Sequence, residues 1–294
     1  MNFHKILFVF LFVISIAEAQ QDPTTIYRAE REKVNNLLHT KLKVNFDFQN
    51  KQLNGEEWVT LSPHFYPISK VVLDAKAMLI HRIELDGQKL DFNYDNFKII
   101  IDLPKEYKKG ETYTLYINYT ARPEKVRQKA STAITSAKGL YFINPMGLQK
   151  NKPTQIWTQG ETEASSCWFP TIDAPNQKTT QEIYITVPDR FKTLSNGKLI
   201  EQTNNGSERT DYWKMDQKHA PYLFFMGVGE YEIIKDGYKN IPVHYYVEKD
   251  YAPVAKDIFG DTPEMIGFFS DILGMEYPWD KYHQIVARDY VSGA

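Results

Sequence analysis

This chain of 294 residues has a single cysteine, a small net charge and no closely paired histidines. The single cysteine, Cys167, excludes an intrachain disulfide. A formal net charge of −2 gives no electrostatic basis for binding nucleic acid. None of the seven histidines is followed by glutamate and no two are four residues apart, so the His-Glu-x-x-His pattern of zinc hydrolases is absent. The sequence therefore predicts no disulfide scaffold, no nucleic-acid partner and no metal-ligating residues of its own.

Long hydrophobic runs are also missing, apart from one at the N-terminus. Residues 6–17 are almost entirely apolar and follow Lys5, but the run is too short to span a bilayer comfortably. Ala17-Glu18-Ala19 then fits a small-residue cleavage site. This pattern predicts a signal peptide over residues 1–19, and export to the periplasm or the extracellular space with no stable membrane span afterwards. An uncleaved N-terminal anchor is the alternative.

Aromatic residues and period-two patterns characterise most of the remaining chain. Aromatics make up 14% of the residues, which favours a strand-rich protein. From Leu42 to Phe48, apolar and polar residues alternate as in a half-buried strand. No strand before residue 123 is followed by a convincing crossover helix, so an antiparallel sandwich or curved sheet is favoured. We predict strands near residues 42–48, 57–61, 70–74, 77–85, 98–103, 112–119, 140–143, 181–187, 210–215, 223–228, 231–234 and 241–247.

The pattern changes to a helical one near Tyr251. Thr262 suits an N-cap, Pro263 and Glu264 suit the first turn, and Gly274 suits the residue after a helix C-terminus. We therefore predict a β-rich domain over residues 20–250, opened by a polar, helix-prone lead at 27–38 and interrupted by an irregular excursion at 122–138. Residues 251–294 are predicted to be the truncated start of an α/β domain, because so short a segment buries too little surface to stand alone.

The most specific motif lies in the middle of the chain. It reads Thr-Gln-Gly-Glu over residues 158–161, then Phe-Pro-Thr-Ile-Asp-Ala-Pro over residues 169–175, then Lys178. This stretch resembles the aminopeptidase N family of zinc metallopeptidases, where Gln-x-Glu is followed at this spacing by Phe-Pro-Cys-x-Asp-x-Pro-x-x-Lys. Thr171 replaces the family's usual Cys, and Ser165-Ser166 replaces a usual Ala-Arg pair.

Supporting segments follow in the family's order. These are Leu194–Gly197, Tyr222–Gly229, Tyr277-Pro278 with Lys281-Tyr282, and a terminal Gly293-Ala294 that looks like the start of the family's Gly-x-Met-Glu-Asn motif. The resemblance implies a saddle-like antiparallel β-sandwich followed by the start of a thermolysin-like catalytic domain. It also implies an enzyme that binds one zinc ion through ligands beyond Ala294 and removes N-terminal residues from peptides with a free N-terminus. This chain alone is then expected to be inactive and free of stoichiometric zinc.

By the same resemblance, four residues are candidates for substrate binding, and none in this chain is catalytic or a metal ligand. Glu161 corresponds to the carboxylate that pairs with the α-ammonium of the substrate; a solvated loop glutamate is the alternative. Gln159 corresponds to a residue of the first side-chain pocket, or else it is a structural amide. Gly293 and Ala294 correspond to a main-chain platform on which a peptide adds as a strand.

Other notable residues are given structural interpretations. Asp173 lies between Pro170 and Pro175, so all three are predicted to form a scaffold that orients Glu161. Cys167 is predicted to be an inert buried thiol, and neither His219 nor His244 has metal-ligand spacing. The competing hypothesis for the whole protein is a non-catalytic, secreted β-sandwich with a binding or scaffold role, including a degenerate member of the same family.

Overall fold

A computed structural model describes residues 31–127 and 135–291. The chain divides into two units, Met1–Glu32 and Lys33–Ala294, and the account below concerns the second. The predicted signal peptide lies outside the described residues and stays a prediction. Within the part of the chain that the structure describes, no helix has the length and apolar character needed to cross a membrane.

The described residues form mainly β-strands. Two short α-helices are present, α1 at Ala255–Phe259 and α2 at Thr262–Leu273. The strands are β1 Asn35–Asp47, β2 Gln52–Pro63, β3 Ile68–Asp74, β4 Met78–Leu85, β5 Gln88–Lys89, β6 Phe92–Tyr94, β7 Lys98–Tyr107, β8 Tyr113–Ala121, β9 Leu140–Ile143, β10 Gln155–Thr158, β11 Thr179–Pro188, β12 Lys192–Ser195, β13 Lys198–Asn205, β14 Glu208–His219, β15 Met226–Gly229, β16 Glu232–Tyr238, β17 Ile241–Val247 and β18 Tyr282–Ile285.

These strands assemble into four sheets. The largest has eight strands in the order β13-β14-β11-β1-β2-β8-β4-β5, and a four-stranded sheet has the order β12-β15-β10-β9. Two three-stranded sheets have the orders β3-β7-β6 and β16-β17-β18. Pairing is antiparallel except between β1 and β11 and between β17 and β18. The prediction of a mostly β, antiparallel fold is therefore confirmed, with two parallel pairs that the local patterns did not indicate.

One apolar core joins the large sheet to the smaller ones. Alternate residues of β8, Tyr113, Leu115, Ile117 and Tyr119, are buried on one face, as the period-two pattern predicts. They belong to the same packed cluster as buried residues of four other strands, namely Ile99 and Ile101 of β7, Ile156 of β10, Met226 and Val228 of β15, and Tyr246 of β17. This packing of a sheet against sheets is the sandwich that the alternating pattern predicted.

The β16-β17-β18 sheet contributes Tyr246 to that core and also has a second, smaller core. Val243, Tyr245 and Val247 of β17 pack against Ala255 of α1 and Ile266 of α2. This sheet takes two strands from before residue 250 and one from after it, so the domain boundary placed there stays a prediction. Most of the large apolar side chains of α2 are solvent-exposed, namely Met265, Phe268, Phe269, Ile272 and Leu273.

Two local predictions were wrong. The helix-prone lead ends in strand rather than helix, because Asn35 to Leu37 pair with β2 and bury Leu37 in the sheet core. Thr262 is the first residue of α2 and not its N-cap; Asp261 occupies the cap position, and the Thr262 hydroxyl donates to Gln284 Oε1 at 3.0 Å. Gly274 does follow the helix in the left-handed conformation, as predicted.

Candidate functional site

Strand β10 carries the Gln159–Glu161 motif at its C-terminal end. The strand lies between β9 and β15, and Gln155, Trp157 and Gln159 are all buried. Because side chains two apart on a strand share a face, Gln155 and Trp157 project to the same side, and Gln159 directly follows the strand. The strand ends where Gln159 donates its main-chain N–H to the Gly139 carbonyl at 3.0 Å, and Glu161 then emerges into solvent.

Gly160 lets this turn pack closely against a neighbouring loop. A Cβ atom added there would lie 2.3 Å from the Tyr222 carbonyl oxygen, so no larger residue fits without moving the backbone. Ser165 strengthens the same contact, because its hydroxyl donates to the Pro221 carbonyl at 2.8 Å. The turn that presents Glu161 is therefore fixed against the Pro221-Tyr222 segment.

Asp173 lies behind this turn. One of its carboxylate oxygens accepts the Ser166 N–H at 2.9 Å, and its own N–H donates to Asp74 Oδ2 at 3.0 Å. Burial raises the pKa of Asp173 to about 6, although the Ser166 N–H acts in the opposite direction. These contacts tie the loop after Glu161 to the segment around Asp173, which supports the scaffold interpretation of that motif.

Gln159 and Glu161 contact each other directly. The amide nitrogen of Gln159 donates to Glu161 Oε2 at 3.3 Å. Gln159 is only 6% exposed, and its Oε1 atom has no hydrogen-bond partner among the described residues. The pair therefore combines a buried amide oxygen that accepts no hydrogen bond with an exposed carboxylate.

Three aromatic rings stack beside this pair. Tyr141 and Trp157 lie nearly parallel with ring centroids 4.1 Å apart, and Tyr290 covers Trp157 at 5.2 Å. Tyr141 and Trp157 are buried, whereas Tyr290 is 54% exposed. Burial raises the pKa of Tyr290, and the negative charge of Glu161 raises it further, which places Tyr290 within the field of that carboxylate.

Arg288 connects the C-terminal segment to β10. Its main-chain N–H donates to Gln155 Oε1 at 2.8 Å, and its carbonyl accepts Trp157 Nε1–H at 3.1 Å. Its guanidinium forms a two-bond contact with Glu248 at 2.6 and 2.7 Å. Sequence reasoning missed these residues and Tyr290; the alternation of Gln155, Trp157 and Gln159 was the available signal.

Gly293 and Ala294 lie outside the described residues, so their predicted place beside Glu161 stays a prediction. The described chain ends at Val291, whose carbonyl accepts the Thr135 N–H at 2.9 Å and the Thr135 hydroxyl at 3.0 Å. The structure therefore brings Gln159 and Glu161 together and places the segment before Gly293 against the same strand.

The residues that the structure describes do not fit a zinc ion. Among residues 31–127 and 135–291, no group of three or more His, Cys, Asp or Glu side chains has an arrangement that could hold a metal. Cys167 is buried, and burial raises the pKa of its thiol to about 12, so it is protonated at neutral pH. His219 is buried against Gln181, and His244 stacks on His283. We derive no catalytic step through zinc from this chain.

Comparison with known proteins identifies the class to which this fold belongs. The family model described as the peptidase M1 N-terminal domain matches residues 36–223. The fold resembles an M1 zinc metallopeptidase from Deinococcus radiodurans, solved as a mutant bound to a Tyr-Ser-Ala substrate, with a TM-score of 0.71 and 18% identity over 89% of this chain and 59% of that one. The chain therefore belongs to the peptidase M1 N-terminal domain family.

The curated relatives of this chain include proteins named as a transcription initiation factor subunit and proteins named as aminopeptidases. Transcription initiation factor TFIID subunit 2 from Danio rerio is 22% identical over 84% of this chain and 23% of its own length. Probable aminopeptidase 2 from Sulfurisphaera tokodaii is 22% identical over 85% of this chain and 29% of its own length. This chain thus spans about a quarter of the length of these relatives, and family membership alone does not separate a peptidase from another role.

Proposed function

We propose that this chain is the N-terminal part of an exported zinc aminopeptidase and that it supplies the wall of the active site that binds the substrate's α-ammonium group. The full protein would hydrolyse N-terminal residues from peptides, with its zinc held by residues outside this chain. Glu161 would pair with the ammonium group, Gln159 would assist it, and Gly293 with Ala294 would dock the peptide main chain.

The Gln159–Glu161 pair is the observation that carries this proposal. A substrate ammonium group has three N–H donors, and the exposed Glu161 carboxylate offers it a charged acceptor. The buried Gln159 amide donates to Glu161 Oε2 at 3.3 Å and holds this carboxylate in place. A solvated loop glutamate would need no such arrangement behind it.

The comparisons support the same function at a coarser level. Relatives of this chain include proteins named as aminopeptidases, and its fold is shared with an M1 zinc metallopeptidase crystallised with a peptide substrate. Peptide substrates and zinc are therefore reasonable expectations for the natural protein that carries this chain. Export rests on the N-terminal residues 1–19 alone.

The test compares two glutamates of the same loop in that natural protein. Glu161→Gln should lower kcat/KM for peptides with a free N-terminus by roughly 2–4 kcal/mol of transition-state binding, the scale of a lost charge-paired contact. Glu163→Gln is the matched control, because Glu163 is also exposed and lies only two residues away. The melting temperature should change little in either variant. Equal turnover by wild type and Glu161→Gln would refute the assigned role.

A non-catalytic scaffold is the second candidate function. It is favoured by the matches to TFIID subunit 2, whose name describes a transcription initiation factor and not a peptidase. In that case the natural protein would show no turnover of free peptides at any pH or zinc concentration, and Glu161→Gln would leave its interactions with partners unchanged.

A further inference from the structure

A cavity of about 480 Å³ lies where residues 194–197, 223–225 and 277–283 meet the C-terminal end of β14. Its volume falls within the range of roughly 300–1,000 Å³ that is usual for small-molecule sites. The three segments overlap stretches that follow the central motif in the family's order, and the proposed function gives them no role. The cavity therefore has the size of a ligand site without an assigned ligand.

Much of the cavity wall is apolar. Six of the side chains that line it are aliphatic or aromatic, namely Leu194, Met215, Leu223, Phe225, Tyr277 and Trp279. Leu223 is 45% exposed and Trp279 is 37% exposed, so the cavity can be reached from solvent. Such a wall favours a ligand with an apolar body, because binding removes apolar surface of both partners from water.

Lys281 places a cation in this wall. Its ammonium group donates to the Ser195 and Gly197 carbonyls and lies over the Trp213 ring, 4.6 Å from the ring centroid. Two of its three N–H groups are thereby used, and the third has no acceptor among the residues that the structure describes. Burial lowers the pKa of Lys281 to about 7, so the amine is mainly charged below that pH.

The Lys281 cation has no carboxylate of its own. Asp280 also lines the cavity, but its Oδ1 atom pairs with Lys198 Nζ at 2.8 Å. Across the described part of the chain, no carboxylate oxygen lies within 4 Å of the Lys281 ammonium group. Because a buried charge without a counter-ion is unfavourable, an anion that reached this group would stabilise it.

We propose that this cavity binds a small carboxylate with an apolar body. The carboxylate would pair with the Lys281 ammonium group, and the body would pack on the aliphatic and aromatic wall. A neutral molecule of the same shape would gain only the apolar contacts. Glu161 plays no part in this binding, so a failure of either proposal leaves the other intact.

The test is isothermal titration calorimetry at pH 6.0 on the natural protein that carries this chain. The two probes have one shape: 4-phenylbutyrate is an anion, and 4-phenylbutanol is neutral. The acid should bind at one site per chain with a Kd on the order of 1 mM or tighter, as expected for a ligand of this size. The alcohol should bind at least about tenfold more weakly, the scale of a lost contact to a charged group.

Charge variants locate the binding at this cavity. Lys281→Met removes the cation and should lower the affinity for the acid to that for the alcohol. Asp280→Asn removes a negative charge from the wall and should raise the affinity for the acid by about twofold to fivefold, with no change for the alcohol. This second variant retains the Lys281 side chain, so it tests the proposal even where Lys281→Met fails to fold. Lys105→Met, at an exposed pair with Glu111, is the matched control and should alter neither affinity.

A size variant tests the apolar part of the cavity. Leu223→Trp adds bulk to the wall at an exposed position and should weaken the acid and the alcohol alike. Acid binding that falls in Lys281→Met and Leu223→Trp and rises in Asp280→Asn supports the proposal. Absence of saturable acid binding, or equal affinities for acid and alcohol in the wild type, would overturn it. Acid binding that none of the cavity variants alters would also overturn it, because the acid would then occupy another place.

Discussion

Glu57 is buried in the centre of the sandwich without a hydrogen-bond partner. It lies on the inward face of β2, opposite Leu42 of β1 and Ile117 of β8, and it is 0% exposed. Neither carboxylate oxygen has a partner among the described residues, and the Tyr119 hydroxyl is unpartnered as well. Burial raises the pKa of Glu57 well above its ordinary value, and this buried carboxyl is expected to make the fold less stable as pH rises.

The sign of this effect follows from proton binding. Below the ordinary carboxyl pKa, Glu57 is protonated in both states, and the neutral group destabilises the fold by about 1–3 kcal/mol through its unsatisfied polar atoms. Above that pKa the unfolded chain releases the proton while the folded chain retains it. Stability then falls by about 1.4 kcal/mol per pH unit until the raised pKa is reached.

The perturbation is Glu57→Met, which fills a similar volume with apolar atoms. It should stabilise the protein by about 1–3 kcal/mol near pH 4, and the gain should grow by up to about 1.4 kcal/mol for each pH unit above this. Urea unfolding of this chain at pH 4.5, 5.5 and 6.5 measures the difference. Glu56→Met is the control, because Glu56 is on the same strand but faces outward and accepts the Tyr116 hydroxyl at 2.6 Å. A gain that is independent of pH, or a loss of stability, would refute the reasoning.

Two further predictions concern the ion pairs and the N-terminus. Arg209→Met should destabilise the fold by roughly 3 kcal/mol or more in urea unfolding, because it leaves the buried, 1%-exposed Asp211 carboxylate without its cation. Lys239→Met breaks an exposed ion pair with Glu276 and should cost less than about 1 kcal/mol in the same assay. N-terminal sequencing of the exported protein should begin at or near Gln20, since Ala17-Glu18-Ala19 fits the cleavage site; a mature exported form that retains Met1 would contradict the signal peptide.

Several strands could be predicted from the sequence with accurate bounds. Leu140–Ile143 and Ile241–Val247 are strands at the predicted residues. Short strands within loops were missed, including Phe92–Tyr94 and Lys192–Ser195, because three or four residues carry too little pattern. Edge strand Lys198–Asn205 is exposed along its whole length, so it has no alternation to detect.

Pairing partners could not be predicted in the same way. The parallel pairing of β1 with β11 joins residues about 140 positions apart, such as Leu42 and Ile183. Such contacts depend on how the sheets close, which local periodicity does not encode. The Asn35–Leu38 error has the same origin, since pairing with β2 overrides the local preference of a polar lead.

The candidate site was only partly accessible to sequence reasoning. The Gln159–Glu161 motif could be found because it is short, contiguous and resembles a family pattern. Arg288 and Glu248 could not, because each is an ordinary charged residue until folding places one beside the other at 2.6 Å. The same holds for Tyr290, whose contact with Trp157 joins segments more than a hundred residues apart.

The two classes of relative make Gln159 the residue that best separates the competing functions. A scaffold needs the sandwich, its core and its sheet edges, all of which are independent of Glu161. It has no use for a buried amide that holds an exposed carboxylate and leaves one acceptor unfilled. Gln159→Leu removes that unfilled acceptor and should leave a scaffold as stable or more stable, because an unpartnered buried oxygen is lost. In an aminopeptidase the same gain in stability would come with weaker binding of the substrate's ammonium group. Stability and peptide affinity moving in opposite directions would thus identify the enzyme, because only a substrate-binding role needs the Gln159 amide that holds Glu161.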